Sequence, residues 1–202
     1  MNSFIDAITK GRKVFFIAPD KTLIPESYLE EYLADGFECY FIDTDIFLSI
    51  ESKVDIILTV FEDAILFFNI DAPCPNSTWT SVISKFQTKY PRSLFGVLYS
   101  KRQSIQDKAS LEKTYLMNIG IKCGCIQLEY QKKNNFGLLE KTLYANQAMG
   151  RRKNVRAICT TGCTFNFLNE KTNQNITGKL TDVSISHFSI TLPEGQLVLE
   201  DY

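Results

Sequence analysis

Apolar and polar positions fall into alternating blocks along the first three quarters of the chain, and the alternation repeats five times. Val14 to Ala18 is a short all-apolar run, the pattern of a strand buried on both faces of a parallel sheet. Pro25 then opens a predicted helix whose inward face is Tyr28, Leu29, Tyr32 and Leu33, closed by Gly36. Cys39 to Ile42 reads as the second strand. Phe47, Ile50, Val54, Ile57 and Phe61 recur at three- and four-residue spacing and predict the second helix. Ile65 to Ile70 predicts the third strand, Thr80 to Tyr90 the third helix with Val82, Ile83 and Phe86 inward, and Leu94 to Tyr99 the fourth strand. A fourth helix over Ile105 to Asn118 ends at Gly120. A fifth strand over Cys125 to Leu128 and a fifth helix over Phe136 to Met149 complete the series.

Short buried strands alternating with helices imply right-handed crossovers and a doubly wound parallel sheet. Five such units predict a flavodoxin-like α/β domain over residues 1–149 with strand order 2-1-3-4-5. After Met149 the period changes. Ala157 to Leu168, Ile176 to Val183, Phe188 to Leu192 and Leu197 to Leu199 are short β-type runs separated by Asn-Gln-Asn, Gly178 and Pro-Glu-Gly, with no helical spacing among them. Residues 150–202 therefore read as a second, antiparallel β domain.

The chain has 202 residues, enough for one large or two small domains, and its net charge of -1 gives no global attraction to nucleic acid or anionic membranes. Anion binding must come from a local cluster, and Arg151-Arg152-Lys153-Asn154-Val155-Arg156 is one. No apolar run approaches the roughly 18 residues of a membrane helix, and the first residues lack the apolar core of a signal peptide, which points to a cytoplasmic chain. Six scattered cysteines and a single histidine suit reduced structural thiols better than a disulfide framework or a zinc site. Cys123 with Cys125 and Cys159 with Cys163 lack the CxxC spacing of zinc ligands, so no metal is expected.

A basic run at a domain joint is most often a charged, solvated linker. Here a second pattern follows it: Asp182-Val183-Ser184 places an acid and a hydroxyl on one side of a strand, within reach of a guanine edge, and arginine forks suit phosphate and guanine O6/N7. Together the patterns resemble the PilZ family of cyclic di-GMP receptors, whose signature is RxxxR entering a β-barrel and then (D/N)xSxxG on a following strand. Arg152 and Arg156 match the first motif, and Asp182 and Ser184 the second. His187 stands where the family has glycine. The resemblance implies cyclic di-GMP as ligand, with Arg152 and Arg156 on phosphate and guanine, Arg151 as an added phosphate or stacking contact, Asp182 and Ser184 on guanine, and His187 either obstructing the ligand or stacking on a base. About half the length of a PilZ barrel follows Met149, so the expected barrel is partial: either the chain is a piece of a longer protein or a partner supplies the missing strands.

Five-unit flavodoxin-like domains include response-regulator receivers, which need acidic residues after strand one, an acceptor aspartate ending strand three, Thr or Ser after strand four and lysine after strand five. Aligned on the proline after strand three, Asn69 takes the acceptor position. Tyr99 or Ser100 takes the fourth-strand position, and strand five runs into Leu128-Glu129 without lysine. Asp71 is a displaced carboxylate that the alignment pairs only with Asp20. The domain thus resembles a pseudo-receiver, expected to work through a protein partner rather than by catalysis. The loop Ala18-Pro19-Asp20-Lys21-Thr22 lacks glycine, which argues against flavin or dinucleotide binding, and the chain has no Gly-x-Ser-x-Gly elbow. Two functional readings stand: a cyclic di-GMP effector in bacterial second-messenger signalling, with no DNA, RNA or membrane insertion, or a degenerate PilZ protein that has lost the ligand and acts as a scaffold.

Overall fold

The computed structural model describes residues 11–75, 77–102, 104–150, 157–159, 162–169, 173–184 and 188–192. The chain divides into two compact units, Met1–Arg152 and Lys153–Tyr202.

In the first unit, strands β1 (Val14–Ile17), β2 (Cys39–Ile42), β3 (Ile65–Asn69), β4 (Leu94–Tyr99) and β5 (Cys125–Gln127) form one parallel sheet in the order β2-β1-β3-β4-β5. Helices α1 (Ser27–Ala34), α2 (Ile50–Val60), α3 (Trp79–Lys89), α4 (Ile105–Glu112) and α5 (Lys132–Ala145) connect and follow the strands. The expected doubly wound α/β sheet and its strand order are both present. Each sheet face carries its own core. Phe15, Ile17, Leu66, Phe68 and Val97 pack with Val54, Leu58, Val82 and Phe86 on one side. Val14, Phe16, Ile65, Phe67 and Leu98 pack with Tyr28, Tyr32, Leu139 and Leu143 on the other. All five β3 residues are buried, which accounts for a strand with no polar alternation.

Local chemistry sets the helix boundaries. Ser49 accepts a hydrogen bond from the Ser52 amide and caps α2, while Thr78 does the same for α3 through Ser81 and Ser104 for α4 through Asp107. The α2 cap corrects one expectation: Phe47 lies before the helix and is 86% exposed, not on its inward face. Asp45 explains the later start, because its carboxylate accepts from the Phe47 and Leu48 amides and pairs with Lys53, holding Thr44 to Ser49 outside the helix. The fourth helix also departs from expectation. After Glu112 its bonding widens to a π-helix over Lys113–Ile119, which Gly120 ends at φ +80°. The fifth helix starts four residues earlier than its apolar spacing predicts and stops at Ala145.

Gly36 is fixed by both conformation and crowding: it sits at φ +92°, and a side chain there would meet the Gly150 carbonyl at 2.7 Å. The Gly150 amide donates to the Gly36 carbonyl at 2.9 Å, and Phe37 bridges Met149 in antiparallel fashion. The Arg12 amide donates to the Gln147 carbonyl at 3.1 Å.

The second unit is an antiparallel sheet of β6 (Ala157–Ile158), β7 (Thr164–Asn169), β8 (Gln174–Val183) and β9 (Phe188–Thr191). Lys179 pairs with Thr164 on one side and Thr191 on the other, and Val183 with Ala157 and Phe188. Strands β6 and β7 therefore follow one another along one edge of β8, with β9 along the other. The expected continuous run from Ala157 to Leu168 is interrupted between β6 and β7. Gly178, expected as a separator, lies inside β8 opposite Phe165, where a Cβ would meet Leu192 at 2.9 Å. The expected segment Leu197 to Leu199 lies outside the described residues.

Candidate functional site

In an open α/β sheet, ligands bind beyond the carboxyl ends of the strands, where the strand order reverses. That point is the β1/β3 pair here, and a crevice of about 450 Å³ opens above it, lined by Asp20, Lys21, Asp43, Asn69, Asp71 and Lys101 among others. Its floor is Asn69, the last residue of β3, only 7% exposed. The Asn69 amide donates to the Ala18 carbonyl at 2.9 Å, and its side-chain oxygen accepts from the Asp71 amide at 3.1 Å. Ala18 itself sits at φ +50°, a conformation that costs a non-glycine residue about 1–2 kcal/mol, so Asn69 fastens a strained corner of the crevice. An amide held in this way has no carboxylate oxygen to offer as a nucleophile.

Asp71 points across the sheet. One of its carboxylate oxygens accepts from the Ser100 amide at 2.6 Å, the Ser100 hydroxyl at 3.0 Å and the Lys101 amide at 2.9 Å. The structure thus chooses Ser100 over the buried Tyr99 as the polar group at the end of β4. The bonds of Asp71 thus go to the end of β4, while Asp20, the one acidic partner expected for it, lines the same crevice. Asp20 folds back on its own turn, accepting from the Thr22 amide at 2.9 Å and the Thr22 hydroxyl at 2.6 Å. Asp43 is matched by Lys21 at 2.7 Å, and Lys21 also reaches Glu26 at 2.8 Å. Hydrogen bonds from Lys21 to Asp43 and then to Glu26 raise the lysine's pKa above its ordinary value. Each of the three crevice carboxylates is therefore engaged by the protein. Among the described residues no three His, Cys, Asp or Glu side chains come together so as to hold a metal ion.

The loop after β5 is held by a residue of α5 that the sequence reading missed. Leu128 is buried, and Asn135, 1% exposed, accepts from the Glu129 amide at 2.8 Å while donating to the Glu129 carbonyl at 2.8 Å and the Leu23 carbonyl at 3.1 Å. It ties the loop after β1 to the loop after β5. The only available signal was an asparagine immediately before the predicted helix that starts at Phe136, a position with many solvent-exposed uses.

In the second unit, Asp182 pairs with Ser189 on one side of β8 and with Ile158 on the other, beside a register shift between Leu180 and Asp182. The Ser189 hydroxyl donates to the Asp182 carboxylate at 3.1 Å. Ser184 follows directly after the strand, so Asp182 and Ser184 stand together at one end of β8. The opposite face is apolar and aromatic: Phe165 lies 4.8 Å from Phe188 and 5.9 Å from Phe167, over the buried Ile176. Arg151, Arg152, Arg156 and His187 lie outside the described residues.

The response regulator RcsB of Salmonella typhimurium is similar over 69% of this chain and 61% of its own, with 16% identity and a TM-score of 0.50. The first unit has a receiver fold. A response regulator receiver domain protein from Clostridium thermocellum matches over 67% of this chain and 93% of its own, at 11% identity and TM-score 0.45. A CheY-like receiver domain protein from Methanospirillum hungatei JF-1 matches over 67% and 96%, at 15% identity and TM-score 0.42. No protein-family model and no curated protein matches the chain. No helix among the described residues is long and apolar enough to cross a membrane.

Proposed function

We propose that this protein is a signalling protein whose receiver-fold unit works without phosphoryl transfer. One observation carries the reading: Asn69 occupies the end of β3, and the carboxylate two residues on, Asp71, is already bonded to Ser100 and Lys101. Phosphoryl acceptance needs a free carboxylate nucleophile beside a metal held by carboxylates. In this crevice an internal carboxylate joins the end of β3 to the end of β4, so the unit acts as a fixed surface for a protein partner and not as an enzyme.

In the same reading the second unit is a sensor for cyclic di-GMP, with Arg151, Arg152, Arg156, Asp182, Ser184 and His187 as ligand contacts. The motif pair Arg152-x-x-x-Arg156 and Asp182-Val183-Ser184 supports this, as does the position of Asp182 and Ser184 together at one end of β8. The scaffold reading keeps the same fold without the ligand, on the strength of His187 in the glycine position. Titration calorimetry of the full chain with cyclic di-GMP separates the two. Saturable binding that cyclic di-AMP does not reproduce supports the sensor, and an absence of heat and of competition leaves the scaffold.

A further inference from the structure

Cys159 and Cys163 lie four positions apart in sequence, yet the β8 ladder sets them against neighbours. The Cys159 amide donates to the Thr181 carbonyl at 2.9 Å, and the Leu180 amide donates to the Cys163 carbonyl at 3.0 Å. Ile158 before them pairs with Asp182, and Thr164 after them pairs with Lys179. Cys159 and Cys163 are thereby set against two adjacent residues of β8, Thr181 and Leu180. Gly162, at φ +99°, turns the chain just before the second. Both thiols are partly exposed. The Cys159 thiol is pushed above its ordinary value by desolvation, and after that by the Cys163 thiol through charge and hydrogen bonding, with Asp182 adding to it.

A disulfide needs Cα atoms within about 4.4–6.8 Å and converging Cβ atoms, and bonding to the adjacent residues Thr181 and Leu180 of one strand brings the two cysteines close along that edge. The other cysteines are placed differently. Cys39 and Cys123 are buried in the core on one face of the parallel sheet, while Cys74 and Cys125 pack against the core on the other. Burial pushes the Cys123 thiol up to about 12 and the Cys125 thiol up to about 11, so neither is readily ionised.

We propose that Cys159 and Cys163 are a redox pair that closes a disulfide across the β6–β7 neck, with a low-molecular-weight disulfide as oxidant. One protein thiolate attacks a sulfur of the oxidant, whose S–S bond breaks and releases one thiolate, leaving a mixed disulfide. The second protein thiolate attacks the protein sulfur of that mixed disulfide and expels the other half. Two protein thiols are oxidised, the oxidant is reduced to two thiols, and the two protons released by the protein end on the leaving thiolates. The new bond fastens β6 to β7 beside Asp182, at the end of β8 where the sheet changes register.

The test uses the full chain and oxidised glutathione, followed by acid quench, alkylation in denaturant and trypsin. Both cysteines fall in one tryptic peptide, Ala157 to Lys171. The expected product is that peptide, unalkylated and two hydrogens lighter, which becomes doubly alkylated once a strong reductant precedes the alkylation. Cys163→Ser should leave Cys159 as the glutathione mixed disulfide, because nothing remains to resolve it. Recovery of the wild-type peptide as a doubly alkylated species, as a stable glutathione adduct, or linked to another chain overturns the proposal. The wild-type measurement is decisive even if the variant fails to fold.

Discussion

Asp71 and Ser100, 29 positions apart, are joined by two hydrogen bonds to one carboxylate oxygen, one from the Ser100 amide and one from its hydroxyl. The bond set spans the crevice between β3 and β4 and draws the β4 end toward the β3 loop. Because the acceptor is a partly buried carboxylate, each bond counts for more than a neutral surface pair.

Asp71→Ala should therefore lower unfolding free energy by about 1.5–3 kcal/mol, the range for a hydrogen bond to a charged group. Ser100→Ala removes only the hydroxyl and leaves both backbone donors in place, so its loss should be nearer 1 kcal/mol. Urea denaturation of the full chain, followed by tyrosine and tryptophan fluorescence, measures both. Equal losses would mean that the backbone donors contribute nothing.

Incubation with acetyl phosphate should give no phosphorylated protein, since Asn69 cannot form an acyl phosphate and Asp71 is occupied. Intact-mass spectrometry reads the result directly. A hydroxylamine-sensitive phosphoryl adduct on Asp71 or Asp20 would defeat the proposal that this receiver fold acts without phosphoryl transfer.

Asp45 offers a test by pH. The Lys53 hydrogen bond first, then the Leu48 and Phe47 amides, lower its pKa to about 2. A carboxylate depressed in the folded state adds stability above its unfolded pKa of about 3.9, and that stability disappears as pH falls through the folded value. Asp45→Asn should flatten the acid limb between about pH 4 and pH 2, and the wild-type Phe47 amide should shift by NMR over the same window. An unchanged acid limb would show that the clamp forms in the unfolded chain as well or not at all.

If the second unit binds cyclic di-GMP, Arg152→Ala and Arg156→Ala should each weaken it about ten- to a hundredfold, whereas Lys153→Ala should do far less. Equal losses at all three positions would describe a diffuse basic patch. His187→Gly should tighten binding, because it removes a ring from a position where the resembling family has glycine. Weakening by the same change would assign His187 to base stacking.

The sheet was legible because its signals are local. Leu94 to Tyr99 is an apolar run between two serines, and the strand observed has those same limits. The start of α2 was misread because the three- and four-residue spacing of Phe47, Ile50 and Val54 continues backward past the cap. Ser49 and Asp45, which compete for the amides there, decide the boundary. The π-helix at Lys113–Ile119 has no compositional mark, since widened bonding costs little where packing accepts an extra residue. The crevice was half legible. Asn69 stood out as an amide in place of an acid, whereas the Asp71 bonds to Ser100 and Lys101 arise only when the sheet brings β3 beside β4.

The bond from the Arg12 amide to the Gln147 carbonyl brings two described stretches of the receiver-fold unit, 11–12 and 147–150, side by side, with the Gly36 and Gly150 contact closing the same region. Backbone that adjoins in this way can be joined by a linker without unthreading the sheet. A short linker from Gly150 to Gly11, with new termini cut into an exposed loop such as that around Phe47, would give a circular permutant with the same strand order. Chain connectivity at this point is a convenience of synthesis, and the sheet order does not depend on it.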